Sequence, residues 1–242
     1  MKFSIIVLLV FLISQLEDST KIQKIVVGNF SEEQSELNLI PDGWMLMNFT
    51  GLKRTDYMLV VKDNKTVVKA ESNNSASGLV KEQSIDLKEF PIARWTWRVD
   101  SMPMNGNVFE RSGDDYPARF YVLFDYGIEH LSWGMRQRIR LLRTFYGRIP
   151  TRAINYVWDA QAPVGTITPN AYTQLVTMVV VESGTDHLGK WITYERNVYE
   201  DYLTIFKEEP PLLEGVAIMA DSDDTKESAR SYFGNISFHR LK

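Results

Sequence analysis

Two acidic turns hold most of the chain's potential chemistry. Asp114-Asp115 lie in a turn that runs into Arg119-Phe120-Tyr121-Val122-Leu123-Phe124-Asp125, and Asp221-Ser222-Asp223-Asp224 follow Gly215-Val216-Ala217-Ile218-Met219-Ala220. Carboxylates clustered in loops are hard oxygen donors of the kind Ca²⁺ takes, which makes Asp114, Asp115, Asp221 and Asp223 candidate metal ligands. The spacing is not that of an EF-hand, whose Gly and distal Glu are missing. A carboxylate pair drawn from Asp114, Asp115, Glu195 and Asp221 is the other option, because two carboxyl groups roughly 5–10 Å apart do general acid/base work on a glycosidic bond. The spacing fixes no such separation. The third option is that these acids serve as counter-ions to arginine.

Other chemistries are excluded or unsupported. The chain has no Cys, so it has no thiol nucleophile, no thiolate zinc site and no disulfide. His130, His187 and His239 are far apart in sequence and show neither HxH nor HExxH spacing. No GxSxG, phosphate-binding or dinucleotide-binding glycine motif is present.

The elements that must position these residues read mostly as strands. Arg119 to Asp125 alternates, with Phe120, Val122 and Phe124 on one face and Arg119, Tyr121, Leu123 and Asp125 on the other. Ile92 to Asp100 does the same, with Trp95, Trp97 and Val99 opposite Arg94, Thr96 and Arg98. Either the Trp pair is buried and the arginines face outward, or the Trp pair forms a sugar-stacking face. In the first case a neighbouring strand sets Arg119 beside Arg94 or Arg98, with Asp114, Asp115 and Asp125 as counter-charges. The expectation is a polar and aromatic groove on one sheet face, with Arg94, Arg98, Asp114, Asp115, Arg119, Tyr121 and Trp158 as ligand-binding candidates.

Further strands are expected at residues 24–27, 44–49, 57–61 with 66–70 as a hairpin, 78–81, 84–87, 153–158, 172–181, 191–198, 215–220 and 234–238. About a dozen short strands at regular spacing argue for one β-sandwich over residues 21–242. Leu131, Met135, Ile139 and Leu142 recur at helical spacing among arginines, which predicts a basic helical insertion near 129–150. Such a segment either packs on its own domain or touches an anionic membrane or polymer through 131–148. A second helix is expected from Tyr199 to Phe206, ended by Pro210-Pro211.

Lys2 precedes an apolar run from Phe3 to Leu16, too short for a comfortable membrane span and of the length of a secretory signal core. Residues 1–20 therefore read as a signal peptide whose cleavage site is not readable, with an uncleaved anchor as the alternative, and the mature chain as periplasmic or secreted. A-x-A and lipobox patterns are absent. A net charge of −4 argues against a nucleic-acid partner. Aromatic residues make up 12% of the chain, a content that suits strands and is common in sugar-binding surfaces. Asn29, Asn48, Asn64, Asn73 and Asn235 head N-x-S/T sequons, which matter only in a eukaryotic secretory pathway.

Eight segments in order carry a resemblance: Pro41-Asp42-Gly43-Trp44, Ser75-Ala76-Ser77-Gly78-Leu79, Trp95-Thr96-Trp97-Arg98-Val99, Gly113-Asp114-Asp115-Tyr116-Pro117-Ala118-Arg119, Asn155-Tyr156-Val157-Trp158, Ser183-Gly184, Asp201-Tyr202 and Ile218-Met219-Ala220-Asp221-Ser222-Asp223. Together, over roughly 25–240, they resemble the exported bacterial family called domain of unknown function 3047. The family name implies little about activity. Its general look is similar to carbohydrate-binding-module-like jelly rolls, which often hold a structural Ca²⁺. The expectation is thus a mainly β chain: a jelly-roll-like antiparallel β-sandwich with one or two helical excursions. The function expected is non-catalytic binding of a carbohydrate or cell-envelope polymer. The alternatives are an envelope assembly protein, or a glycan-acting hydrolase or lyase that uses a carboxylate pair.

Overall fold

The computed structural model describes residues 23–31, 37, 39–146 and 150–241, and the expected signal segment 1–20 lies outside them. Among the described residues are thirteen strands: β1 (Lys24–Gly28), β2 (Met45–Asn48), β3 (Asp56–Lys62), β4 (Lys65–Asn73), β5 (Ala76–Ile85), β6 (Ile92–Ser101), β7 (Arg119–Phe124), β8 (Arg152–Asp159), β9 (Ile167–Pro169), β10 (Val176–Ser183), β11 (Trp191–Asn197), β12 (Leu213–Asp221) and β13 (Ser228–His239). Two helices join them, α1 (Trp133–Tyr146) between β7 and β8, and α2 (Val198–Phe206) after β11.

The strands form two sheets packed as a jelly-roll-like sandwich. A six-stranded sheet runs β11-β6-β13-β4-β3, with β1 also paired to β13, and a seven-stranded sheet runs β2-β5-β12-β7-β8-β10-β9. Strand alternation sends one side of each sheet inward. Trp95, Trp97 and Val99 of β6 meet Phe120, Val122 and Phe124 of β7, Ile154, Tyr156 and Trp158 of β8, and Val216, Ile218 and Ala220 of β12. Trp95 sits at the centre, its ring centroid 4.7 Å from Phe120, 5.1 Å from Tyr156 and 5.4 Å from Tyr194. The Trp pair is therefore core, and Arg94 and Arg98 take the outward positions. A second apolar cluster lies on the other side of the seven-stranded sheet, where Tyr116 and Val108 pack on Val157, Met178 and Val180.

Turn chemistry fixes several registers. In the β3–β4 hairpin, Lys62 faces Lys65 across Asp63-Asn64, both at positive φ (50° and 60°). Two-residue hairpin turns require that conformation, and Asp and Asn adopt it at low cost. The α2 N-terminus is capped by the Asn197 side chain, which accepts the Glu200 N–H at 3.2 Å. The helix ends at Lys207, which adopts a left-handed φ of 60°, so it stops before Pro210-Pro211 are reached.

The structure also departs from the sequence reading in the strands, the last of which begins at Ser228 rather than at 234. The expected strands 78–81 and 84–87 are one continuous strand, β5, whose polar Glu82-Gln83-Ser84 lie where the strand is partly or fully exposed. The sheets are antiparallel except for β8 and β10, which pair in parallel. The connection 160–175 is long enough to return the chain for a parallel partner and builds β9 on the way. The expected strand 172–181 begins later, at Val176. As expected, α1 is amphipathic in its described side chains, with Ile139 buried while Trp133, Gln137 and Arg140 are exposed. No helix among the described residues is long and apolar enough to cross a membrane.

Candidate functional site

The two acidic turns come together around Arg119. Arg119 opens β7 on the outer side of the seven-stranded sheet, and Asp221 closes the adjacent β12. Since Arg119 faces Met219 in register, Asp221 lies two residues further along the same side. The guanidinium grips Asp221 with both of its arms. Nε donates to Oδ1 at 2.9 Å and Nη2 donates to Oδ2, while Nη2 also reaches the Asp114 carbonyl and Nη1 the Tyr121 hydroxyl at 3.2 Å. It stacks over the Tyr116 ring at 4.2 Å. Only 2% of Arg119 is exposed, so its charge must be met internally, and it is.

The flanking acids are also engaged. Asp114 accepts from Asn170 Nδ2 at 3.0 Å on each oxygen. Asp115 accepts the backbone N–H groups of Asp224 and Thr225 at 3.3 and 2.6 Å, which ties the first acidic turn to the second. Tyr172 donates its hydroxyl to Asp224 Oδ1 at 2.6 Å and stacks under Arg111. Burial pushes the Asp221 carboxyl up from the usual range, against the pull of Arg119. Burial works to lower the Arg119 pKa, but the charges of Asp221, Tyr121 and Asp114 raise it well above its ordinary value, so the guanidinium stays protonated. Burial pushes the Tyr121 hydroxyl up to about 12, with Arg119 pulling the other way. Asp223 and Asp224 are both raised, by burial first and then by neighbouring carboxylates (Asp223 by Asp115 and Asp224, and Asp224 by Asp115 and Asp114).

Of the four expected metal ligands, Asp115, Asp221 and Asp223 offer oxygens within 4.8 Å of one another, while Asp114 is held aside by Asn170. Three carboxylates supply only part of the six to eight oxygens that Ca²⁺ takes, and two of the three are already engaged. Both Asp221 oxygens face a guanidinium, and both Asp115 oxygens accept backbone N–H groups. Arg119 is the resident cation of this cluster. Of the acids considered for glycosidic chemistry, Asp115 and Asp221 do meet, but Arg119 and backbone N–H groups already engage their oxygens. Glu195 is on the other sheet, ion-paired with Arg94 at 3.1 Å.

The remaining candidates separate. Arg119 does not lie beside Arg94 or Arg98, because β7 and β6 belong to different sheets. Trp158 is fully buried in the core, with its indole N–H donated to the Gly184 carbonyl at 2.9 Å, so it presents no ring to a ligand. Asp125 serves its own turn, accepting the Gly127 N–H at 3.2 Å and the Thr151 hydroxyl at 3.3 Å. Tyr121 is half-buried on the outer side of the seven-stranded sheet.

Arg98 anchors a different site, on the outer side of the six-stranded sheet. Register places Trp191 of β11, Arg98 of β6 and Tyr232 of β13 in one row across three strands. Arg98 Nε donates to Asp100 Oδ1 at 2.6 Å and Nη1 to Asp63 Oδ2 at 2.9 Å. Asp63 also accepts the Trp191 indole N–H at 2.8 Å, which fixes the ring. Lys62 pairs with Asp100 at 3.2 Å and sits over the Tyr232 ring at 4.8 Å, and the Trp191 and Tyr232 centroids are 6.4 Å apart. In the next row the hydroxyls of Thr96 and Thr193 are hydrogen-bonded at 2.9 Å. Sequence reasoning missed Asp63, Asp100, Lys62, Trp191 and Tyr232. The i, i+2 spacing of Arg98 and Asp100 was a signal for one of them, whereas the others needed the strand order.

The fold and this site describe a mainly β sandwich with one polar and aromatic outer face. The sequence profile of the family described as "Protein of unknown function (DUF3047)" matches residues 42–237, and the chain belongs to that family. No curated protein matches the chain. Among solved structures it is similar to the family 11 carbohydrate-binding module of the cellulosomal cellulase Lic26A-Cel5E of Clostridium thermocellum, at 10% identity over 92% of this chain and 97% of that one, with a TM-score of 0.44. It is also similar to a family 12 xyloglucanase from Bacillus licheniformis, at 9% identity over 90% and 100% of the two chains, with a TM-score of 0.45. These likenesses concern the sandwich alone and say nothing about a ligand of this chain.

Proposed function

We propose that the protein is an exported, non-catalytic carbohydrate-binding protein whose ligand lies across the outer side of the six-stranded sheet. The observation that carries this reading is the Trp191–Arg98–Tyr232 row with its fixing acids. A sugar offers C–H faces to an aromatic ring and vicinal hydroxyls to planar charged groups. Trp191 supplies a half-buried ring held in place by Asp63, while Arg98, Asp63 and Asp100 supply fixed donors and acceptors around it. Among the described residues, Arg98 Nη2 has no hydrogen-bond partner, which leaves it free to donate to a ligand oxygen. The cluster around Arg119, by contrast, satisfies itself and serves to join the two acidic turns. The apolar run from Phe3 to Leu16 supports export.

The test is retention on a panel of immobilised glycans by the mature chain and by Trp191→Ala. Removing the ring weakens binding about tenfold or more, as loss of a central aromatic anchor does. Binding that is equal in the variant, or absent in the wild type, overturns the reading. Sequencing the N-terminus of the native protein checks export, since an intact Met1 in the cell interior removes that part.

A further inference from the structure

A cavity of about 360 Å³ opens at one end of the same sheet face. Four of its lining residues form the row adjoining the Arg98 row. Ser101 faces Arg230, Arg230 faces Glu71, and Glu71 faces Asp56 across β6, β13, β4 and β3. Lys53 and Arg54, in the segment leading into β3, line it together with the buried hydroxyl residues Ser72 and Ser75. The volume falls at the lower end of the range of small-ligand sites.

The charges in this cavity are unevenly used. Glu71 is consumed, accepting from both Lys69 and Arg230, and its carboxyl is held below the usual range by those bonds. Arg54 and Asp56 have no ion pair or side-chain hydrogen bond among the described residues, and Lys53 reaches only the Asn73 carbonyl at 3.4 Å. Three cations thus face two carboxylates, and one positive charge is left over. Asp56 stands directly opposite Glu71, whose charge Lys69 and Arg230 already meet, and itself lacks side-chain donors among the described residues. A ligand's hydroxyl groups are such donors.

We infer that this cavity is the chain-end subsite of the sugar-binding face and takes a terminal sugar that carries one carboxylate, a uronate. The inference rests on the carbohydrate reading of the face and adds the class of sugar. The ligand carboxylate pairs with Arg54, with Lys53 beside it, and the ring hydroxyls donate to Asp56.

The experiment is calorimetric titration of the mature chain with glucuronic and galacturonic acid, and with glucose and galactose as their uncharged counterparts. The glycan-panel retention of the wild type and Trp191→Ala is measured alongside. The expected result is uronate binding at least tenfold tighter than that of the neutral sugar, a preference lost in Arg54→Ala and reduced by added salt. Arg54 is exposed, and thermal melting confirms that the variant is folded. Uronates bound no better than neutral sugars, or a preference that survives Arg54→Ala, overturns the subsite while Trp191-dependent glycan retention keeps the face. No saccharide bound by the wild type in either assay overturns the face and the subsite together.

Discussion

Arg119 is almost wholly buried, and this sets the energetics of the acidic cluster. Its removal strands the Asp221 carboxylate in a buried place, and the Tyr121 hydroxyl loses a donor. Breaking a buried ion pair from one side costs about 3–5 kcal/mol, more than the intact pair contributes, because the remaining charge is uncompensated, and here Asp221 keeps only the Tyr116 N–H at 2.9 Å. Arg119→Ala is therefore expected to lower stability by about that amount in urea unfolding. A loss under about 1 kcal/mol would show the cluster to be wet and weakly coupled. The sequence reading could see Asp114, Asp115, Asp221 and Asp223 as a set, because two acidic runs stand out in a strand-rich chain. It could not see that the cation among them is an arginine, since that depends on β7 lying next to β12.

Strand alternation was legible wherever one face is apolar. Trp95, Trp97 and Val99 against Arg94 and Arg98, and Phe120, Val122 and Phe124 against Arg119 and Tyr121, were readable because side chains alternate along a strand. Sheet membership was not, because pairing partners are chosen by contacts remote in sequence. The expected meeting of Arg119 with Arg98 failed for that reason alone. The hairpin between β3 and β4 shows what is gained once partners are known. Its turn residue Asp63 reads locally as a polar loop, yet it holds both Arg98 and Trp191. Asp63→Asn keeps a residue that tolerates the positive φ of 50° and removes the charge. Exposed pairs of this kind contribute about 0–1 kcal/mol, so the melting point moves little. Glycan retention should fall nevertheless, because Trp191 loses the charged acceptor that orients it. A variant that binds as wild type does would show that the ring needs no such anchor.

With no cysteine to cross-link it, the sandwich depends on its interior. The aromatic cluster around Trp95 spans both layers, since Trp97 and Tyr194 come from the six-stranded sheet and Phe120 and Tyr156 from the seven-stranded one. Neither sheet can bury its inward face without the other, and we expect the two to fold as one cooperative domain. Truncating a fully buried Trp to Ala costs about 3–5 kcal/mol, from lost transfer energy and the cavity left behind. Trp95→Ala should therefore unfold at lower denaturant, with far-ultraviolet circular dichroism and tryptophan fluorescence still changing together. Fluorescence samples the buried indoles of both sheets, Trp97 in one and Trp158 in the other, while circular dichroism samples all the strands. Coincident transitions in the wild type and the variant follow if the layers share one core. Two separated transitions would mean that each sheet holds a stable structure of its own, and the single-domain view of residues 21–242 would be wrong.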